Sequence, residues 1–254
     1  MLVDFIFTLI SLSLTIVVFL GLDSIIMLMI KKNLKWIHII TSGMLYFTAL
    51  FAALYFILKG AAGHDMIAFI SAQIQESVKA ALDNYKNMGA SAQDIDTMKR
   101  LLDIFLVKTF ASWCIIGALF IVFLNYFVVR LYMMKRYGIK NDIRVFMEWY
   151  LDEKAMWFLL IPLVVLLAKN LIKSDAAFTT SLNFVMVMGN IYFLIGVSLL
   201  AFFLAKFRVP SYFQAGIYFI VAIWPTIWGI IALFGIFDTW FNFRKIEKGG
   251  SIWK

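Results

Sequence analysis

Apolar runs of about 20 residues or more recur along this chain, each long enough as a helix to cross a hydrocarbon layer of roughly 30 Å. No other feature of the sequence constrains its fold as strongly. Of its 254 residues 63% are hydrophobic and 15% charged, whereas a soluble domain is roughly 45–50% apolar and 25% charged. With 3 Pro and 14 Gly, little turn chemistry is available to cut that apolar mass into short strands. A soluble enzyme, a disordered binder and a disulfide scaffold are excluded. In lipid a chain must satisfy its own backbone hydrogen bonds, and long apolar segments do so as helices. The reading is an all-α, polytopic transmembrane helical bundle.

Six spans are expected, at about residues 2–30, 36–58, 104–131, 155–172, 178–207 and 212–237. The first begins Met1-Leu2-Val3-Asp4 and meets no basic residue before Lys31. It is too long for the core of a signal peptide and reads as a retained span in a bacterial cytoplasmic (inner) membrane. Pro162 falls inside the short fourth span and Pro225 inside the sixth, so the sixth either crosses or re-enters. Between spans two and three, from His64 to Asp103 (residues 64–103), lies the longest polar stretch. In it Ile67, Ile70, Ile74, Val78, Ala81, Leu82 and Tyr85 recur at helical spacing and make one apolar face. After Gly89, Ser91 and Asp94 have the spacing of a capping box that opens a second helix, continuing into span three. This amphipathic hairpin is expected at the membrane interface. An aromatic and basic tail, 238–254, closes the chain.

The 23 Lys and Arg outnumber the 15 Asp and Glu. In this class such residues flank spans and set orientation, so nucleic acid is not expected as a partner. The lipid bilayer is. Trp36, Arg130, Lys135, Arg136, Trp240 and Arg244 are expected as anchors at the membrane interface, with Lys140 and Arg144 extending the basic cluster after span three. That cluster is placed inside and the N-terminus outside. The tail, with Arg244, Lys245, Lys248 and Lys254, makes the two sides nearly equal in charge, so its side stays open. Cys114 stands alone in an apolar run, which excludes an intramolecular disulfide and predicts a buried, inert thiol.

Reactive groups are few. The two histidines, His38 and His64, fall in no metal-ligand spacing. No nucleophile elbow or phosphate-binding glycine loop occurs. Neither an enzyme nor a cofactor or metal is expected. Among ionisable residues near spans, Asp4 and Lys169 belong to interfaces and Asp238 to an aromatic interface pattern, while Asp23 is a candidate buried ligand. Asn125, Asn183, Asn190 and Ser198 are polar groups at span depth. Asn183 and Asn190, two turns apart, share a helix face with Gly189 and Gly196. That face points into the bundle, either as interhelical glue or as a cavity wall. The candidate ligand-binding residues are therefore Asp23, Asn125, Asn183 and Asn190.

Several motifs occur in a recognisable order. They are Tyr85-Lys86-Asn87-Met88-Gly89, then Leu124-Asn125-Tyr126 leading to Arg130, then Phe146 and Trp149. Asn190 with Gly196 and Phe202-Phe203 follow, and the ending runs from Gly235-Ile236-Phe237-Asp238 through Trp240-Phe241 and Phe243-Arg244. In these the chain resembles the YybS-like family of bacterial integral membrane proteins, a domain of unknown function. The resemblance implies a distant similarity to the substrate-binding S-components of energy-coupling-factor transporters, six-helix bundles that bind a vitamin or metal beside a coupling subunit. It assigns no substrate. Two functions are thus expected. One is the binding or transport of a small-molecule solute. The other is a structural or assembly role, in which residues 64–103 dock on a membrane protein partner or on a second copy of the chain.

Overall fold

The computed structural model describes residues 2–62, 66–138 and 146–245, with side chains from residue 15 onward except at 58, 61, 62 and 66. His64, Lys140, Arg144, Lys248 and Lys254, together with the side chain of Asp4, lie outside the described residues. The chain divides into two compact units, Met1–Lys140 and Asn141–Lys254. All regular structure in the described residues is helical.

In the first unit α1 (Leu2–Lys31), α2 (Trp36–Ala62) and α5 (Phe110–Tyr137) pack on one another. Their core follows helical spacing. Leu22, Ile26 and Ile30 are buried on α1, and Val122, Tyr126, Val129 and Met133 on α5. Gly43 of α2 permits the close approach, since a Cβ there would collide with Val122 and crowd Leu22. The Lys31 ammonium lies 4.8 Å from the centre of the Tyr137 ring. The basic ends of α1 and α5 therefore lie beside each other. Cys114 departs from expectation: it is exposed on α5 rather than buried in protein.

The amphipathic hairpin forms α3 (Met66–Asn87) and α4 (Ala92–Leu102). Its capping box is complete: the Asp94 amide donates to Ser91 Oγ at 3.2 Å, and the Ser91 amide to Asp94 Oδ2 at 3.3 Å. Ile70, Ile74, Val78 and Leu82 are the better-buried residues of α3, which packs against α4 and the segment that follows. The expected unbroken run into span three is interrupted. Residues Asp103–Lys108 form a π-helical turn, and Thr109, with φ −104°, separates it from α5. The Phe105 carbonyl accepts from Thr109 Oγ1 at 2.7 Å and from the Trp113 indole at 2.9 Å. Side chains thus occupy a backbone acceptor at the change of register.

The second unit contains α6 (Trp157–Leu167), α7 (Asp175–Lys206), α8 (Ser211–Ile223) and α9 (Pro225–Phe241), with a 3₁₀ turn at Glu153–Met156 ahead of α6. α7 is its axis, with α6 and α9 packed along it. Gly196 and Gly235 make the α7–α9 contact possible. A Cβ on Gly196 would strike the Ile231 carbonyl, and one on Gly235 the Tyr192 carbonyl. The two backbones touch where side chains would otherwise hold them apart.

Six spans are not what the described residues show. Three helices are long and apolar enough to cross a membrane, within Trp36–Ile57, Phe110–Tyr137 and Asp175–Lys206, and a fourth crossing is counted only if the bent pair α8–α9 is one span. α1 has the length of a span, but the side chains of its first half lie outside the described residues. The expected fourth span resolves into the 3₁₀ turn and α6, whose 11 residues reach only ~17 Å. The expected sixth is broken at Trp224 and bent by 107°. Pro225 explains the break, because its ring disfavours helical geometry at the preceding residue, and Trp224 is extended (φ −105°, ψ 97°). Pro225 then serves as the first residue of α9, where a missing N–H costs nothing.

Within this unit α9 returns to the end of α7 from which α8 departs. Arg244, just beyond α9, bonds to Ser198 of α7, and Ser198 is ~12 Å along the helix from the α7 C-terminus. α8 starts five residues after that same terminus. Arg208 and Lys245 therefore belong to one end of the unit, and Lys173 to the other. In a Cys114→Ser background, Arg208→Cys and Lys245→Cys should be labelled by an impermeant maleimide from one side of sealed vesicles, and Lys173→Cys from the opposite side. Labelling of position 245 together with position 173 would contradict this topology.

Candidate functional site

The most tightly built polar group in the second unit is an ion pair at the end of α9. Asp238 is 5% and Arg244 3% exposed. Asn242, in the left-handed region at φ 44°, turns the chain so that both residues face the same point. Arg244 Nε and Nη2 donate to Asp238 Oδ2 at 3.0 and 2.6 Å. Nη1 donates to the Met147 carbonyl at 2.6 Å and to Ser198 Oγ at 2.8 Å, and Nη2 also to the Trp149 carbonyl at 2.7 Å. All five guanidinium donors are used. The Phe243 amide donates to Asp238 Oδ1 at 3.0 Å, and Ser198 Oγ donates to the Phe146 carbonyl at 2.5 Å. Burial pushes the Arg244 guanidinium below its ordinary value, and the Asp238 carboxylate, aided by Glu148, opposes that shift. A charge so enclosed is structural: it has no donor left for a ligand.

The residues expected to bind solute fall elsewhere. Asn125, Asn183 and Asn190 are half-buried, and each turns its amide back onto its own helix. They donate to the carbonyls of Ile121, Thr179 and Met186 at 2.9, 2.8 and 3.1 Å. Asp23 is half-buried on α1, with Oδ1 buried and accepting no hydrogen bond. Asp23 and Asn125 belong to the first unit, Asn183 and Asn190 to the second. Of the expected interface anchors, Lys135, Arg136 and Trp240 are exposed and Trp36 is half-buried. Arg130 is half-buried and donates to the Tyr126 hydroxyl at 2.7 Å. Arg244 departs from that expectation, since its guanidinium is taken up by protein groups. None of Asp23, Asn125, Asn183 and Asn190 lines the α7–α8–α9 cleft. Among the described residues no three His, Cys, Asp or Glu side chains gather as a metal site.

What does form a pocket is apolar. A cleft of about 530 Å³ opens in the crook of the bent pair α8–α9 against α7, within the size range of small-molecule sites. Leu199, Leu200 and Phe203 line it from α7, and Ile217 and Ile220 from α8. Ile227, Ile230 and Phe234 line it from α9, with Phe243 from the turn beyond. Every lining side chain is aliphatic or aromatic apart from Gly196. In the sequence these residues read only as helical apolar faces. The one signal of a cleft was Pro225, which breaks the sixth run and bends it around a space.

Long apolar helices, a helix pair bent within its apolar run and an internally neutralised ion pair define a polytopic helical membrane protein. The chain belongs to the family described as "Predicted membrane protein (DUF2232)", whose profile matches residues 1–239. The family's function is unknown. No curated protein and no solved structure matches the chain.

Removing one partner of a buried ion pair costs roughly 3–5 kcal/mol, because the other charge is left unpaired. Arg244→Met and Asp238→Asn should each lower the melting temperature of the purified protein sharply. The double variant should lose much less than the sum of the two. Additive losses, measured by thermal unfolding in detergent, would argue against a shared network.

Proposed function

We propose that this protein is a non-catalytic, multi-pass protein of a bacterial cytoplasmic membrane that binds a small lipophilic solute in the α7–α8–α9 cleft. The observation that carries this reading is the cleft wall, which offers apolar surface and no polar group. Burial of apolar surface is then the main source of affinity, at ~25 cal/mol per Å². The resemblance to transporter S-components supports a role in solute capture for a partner complex. The binding residues are those of the cleft rather than Asp23, Asn125, Asn183 and Asn190. Native mass spectrometry of the protein extracted from its own membrane tests the reading. A lipophilic small mass should be retained, and Leu200→Trp, which fills the cleft, should lower its occupancy by on the order of tenfold, or about 1.4 kcal/mol. Asn190→Leu should leave it unchanged. Loss in the Asn190 variant alone would return the site to the polar face of α7.

A second reading, an assembly subunit, is favoured by a specific surface. A groove of about 520 Å³ lies between α3 and the start of α5, lined by Phe69, Ile70, Ile74, Leu106, Phe110 and Trp113. Phe69 is 65% and Trp113 47% exposed, an apolar surface of the sort that partners cover. If it holds, Phe69→Glu with Trp113→Glu should release a stoichiometric membrane partner while leaving the protein inserted. Retention of every partner would count against it.

A further inference from the structure

We propose that the occupant of the apolar cleft is a single aliphatic chain bearing an anionic head, held with the head toward the C-terminal end of α7. This inference rests on the reading of the cleft as a binding site and adds a charge and a direction to it. The cleft is not symmetrical from end to end. At one end Phe203 and Phe243 line it, and there the chain supplies cations. Lys206 is one turn beyond Phe203, with its ammonium 5.8 Å from the centre of the Phe203 ring and 5.9 Å from that of Phe202. Arg208 follows in the turn that ends α7, and Lys245 follows Phe243 by two residues; both are exposed.

Among the described residues the acids beside this end act on Arg244 instead. Asp238 is bonded to Arg244, and the charge of Glu148 also acts on Arg244. Lys206, Arg208 and Lys245 are in no ion pair among the described residues. An apolar slot with exposed cations near one mouth complements an amphiphile whose tail takes the slot and whose carboxylate or phosphate meets the basic groups. A neutral lipophile would leave those cations unused. A cation would be repelled.

The test uses the full chain in nanodiscs of phosphatidylcholine, with palmitate, hexadecanol and palmitoyl lysophosphatidylglycerol as probes of one tail and three heads. Palmitate should bind on the order of tenfold more tightly than hexadecanol, in line with the attraction of a few basic side chains near a membrane surface. Lys206→Glu with Lys245→Glu should abolish that preference while leaving hexadecanol binding unchanged. Preference for lysophosphatidylglycerol over lysophosphatidylcholine, lost in the same variant, would also support the anionic head and make a single-chain membrane lipid its source. Equal binding of palmitate and hexadecanol would overturn this inference and leave the lipophile-binding reading standing. Failure of every probe to bind, with Leu200→Trp making no difference, would overturn both.

Discussion

The second unit is organised around the enclosure of one guanidinium. Arg244 is satisfied only if α9 ends beside Asp238, if Ser198 faces it from α7, and if the backbone at Met147 and Trp149 is folded beneath it. Three stretches far apart in sequence must therefore arrive together. A misplaced element would leave a buried cation short of acceptors, which costs far more than the loss of an exposed hydrogen bond. Apolar packing alone does not specify so narrowly, because helices with similar faces can slide along one another. The glycine contact between α7 and α9 sets their separation. The ion pair sets their register.

The cleft depends on that arrangement. α8 leaves the end of α7 and the chain bends at Trp224, and α9 must come back at the correct level for Phe243 to close the space. A straight sixth helix would have no inner face. Proline's geometry creates the bend, the bend creates the cavity, and the ion pair fixes the returning arm.

Much of the fold was legible in the sequence. Long helices at α1, α2 and α7, the two-helix amphipathic segment and its Ser91–Asp94 capping box follow from apolar spacing and side-chain chemistry that act locally. The span count did not follow, because a hydropathy run records apolar character and not direction. The stretch at 155–172 holds a helix too short to cross, and 212–237 holds one that turns. The candidate site was less legible still. Asn183 and Asn190 share a face as expected, but an amide can bond its own helix four residues back, and nothing in the spacing tells that outcome from an interhelical bond. Arg244 stands among aromatic residues in a basic tail, the usual setting of an interface anchor. Its burial depends on Ser198 and the segment at 146–149, which are close only in three dimensions.

That α8 and α9 begin and end at one end of α7 bears on how the chain is synthesised. A final span would oblige the membrane machinery to carry the tail's cations through hydrocarbon, at a cost of several kcal/mol for each charge. As a re-entrant hairpin the pair would be inserted from the side on which it is made, and Lys245 would stay on that side. At its tip Pro225 brings no N–H, the Trp224 amide bonds Ile220, and the Trp228 indole donates to the Val221 carbonyl at 2.6 Å. The tip of the bend is thus largely sealed by its own hydrogen bonds, leaving little hydrated backbone to strip. Inserted in that way, the last fold would be assembled from one face of the membrane, with Arg244 closing it on acceptors near the same end of α7.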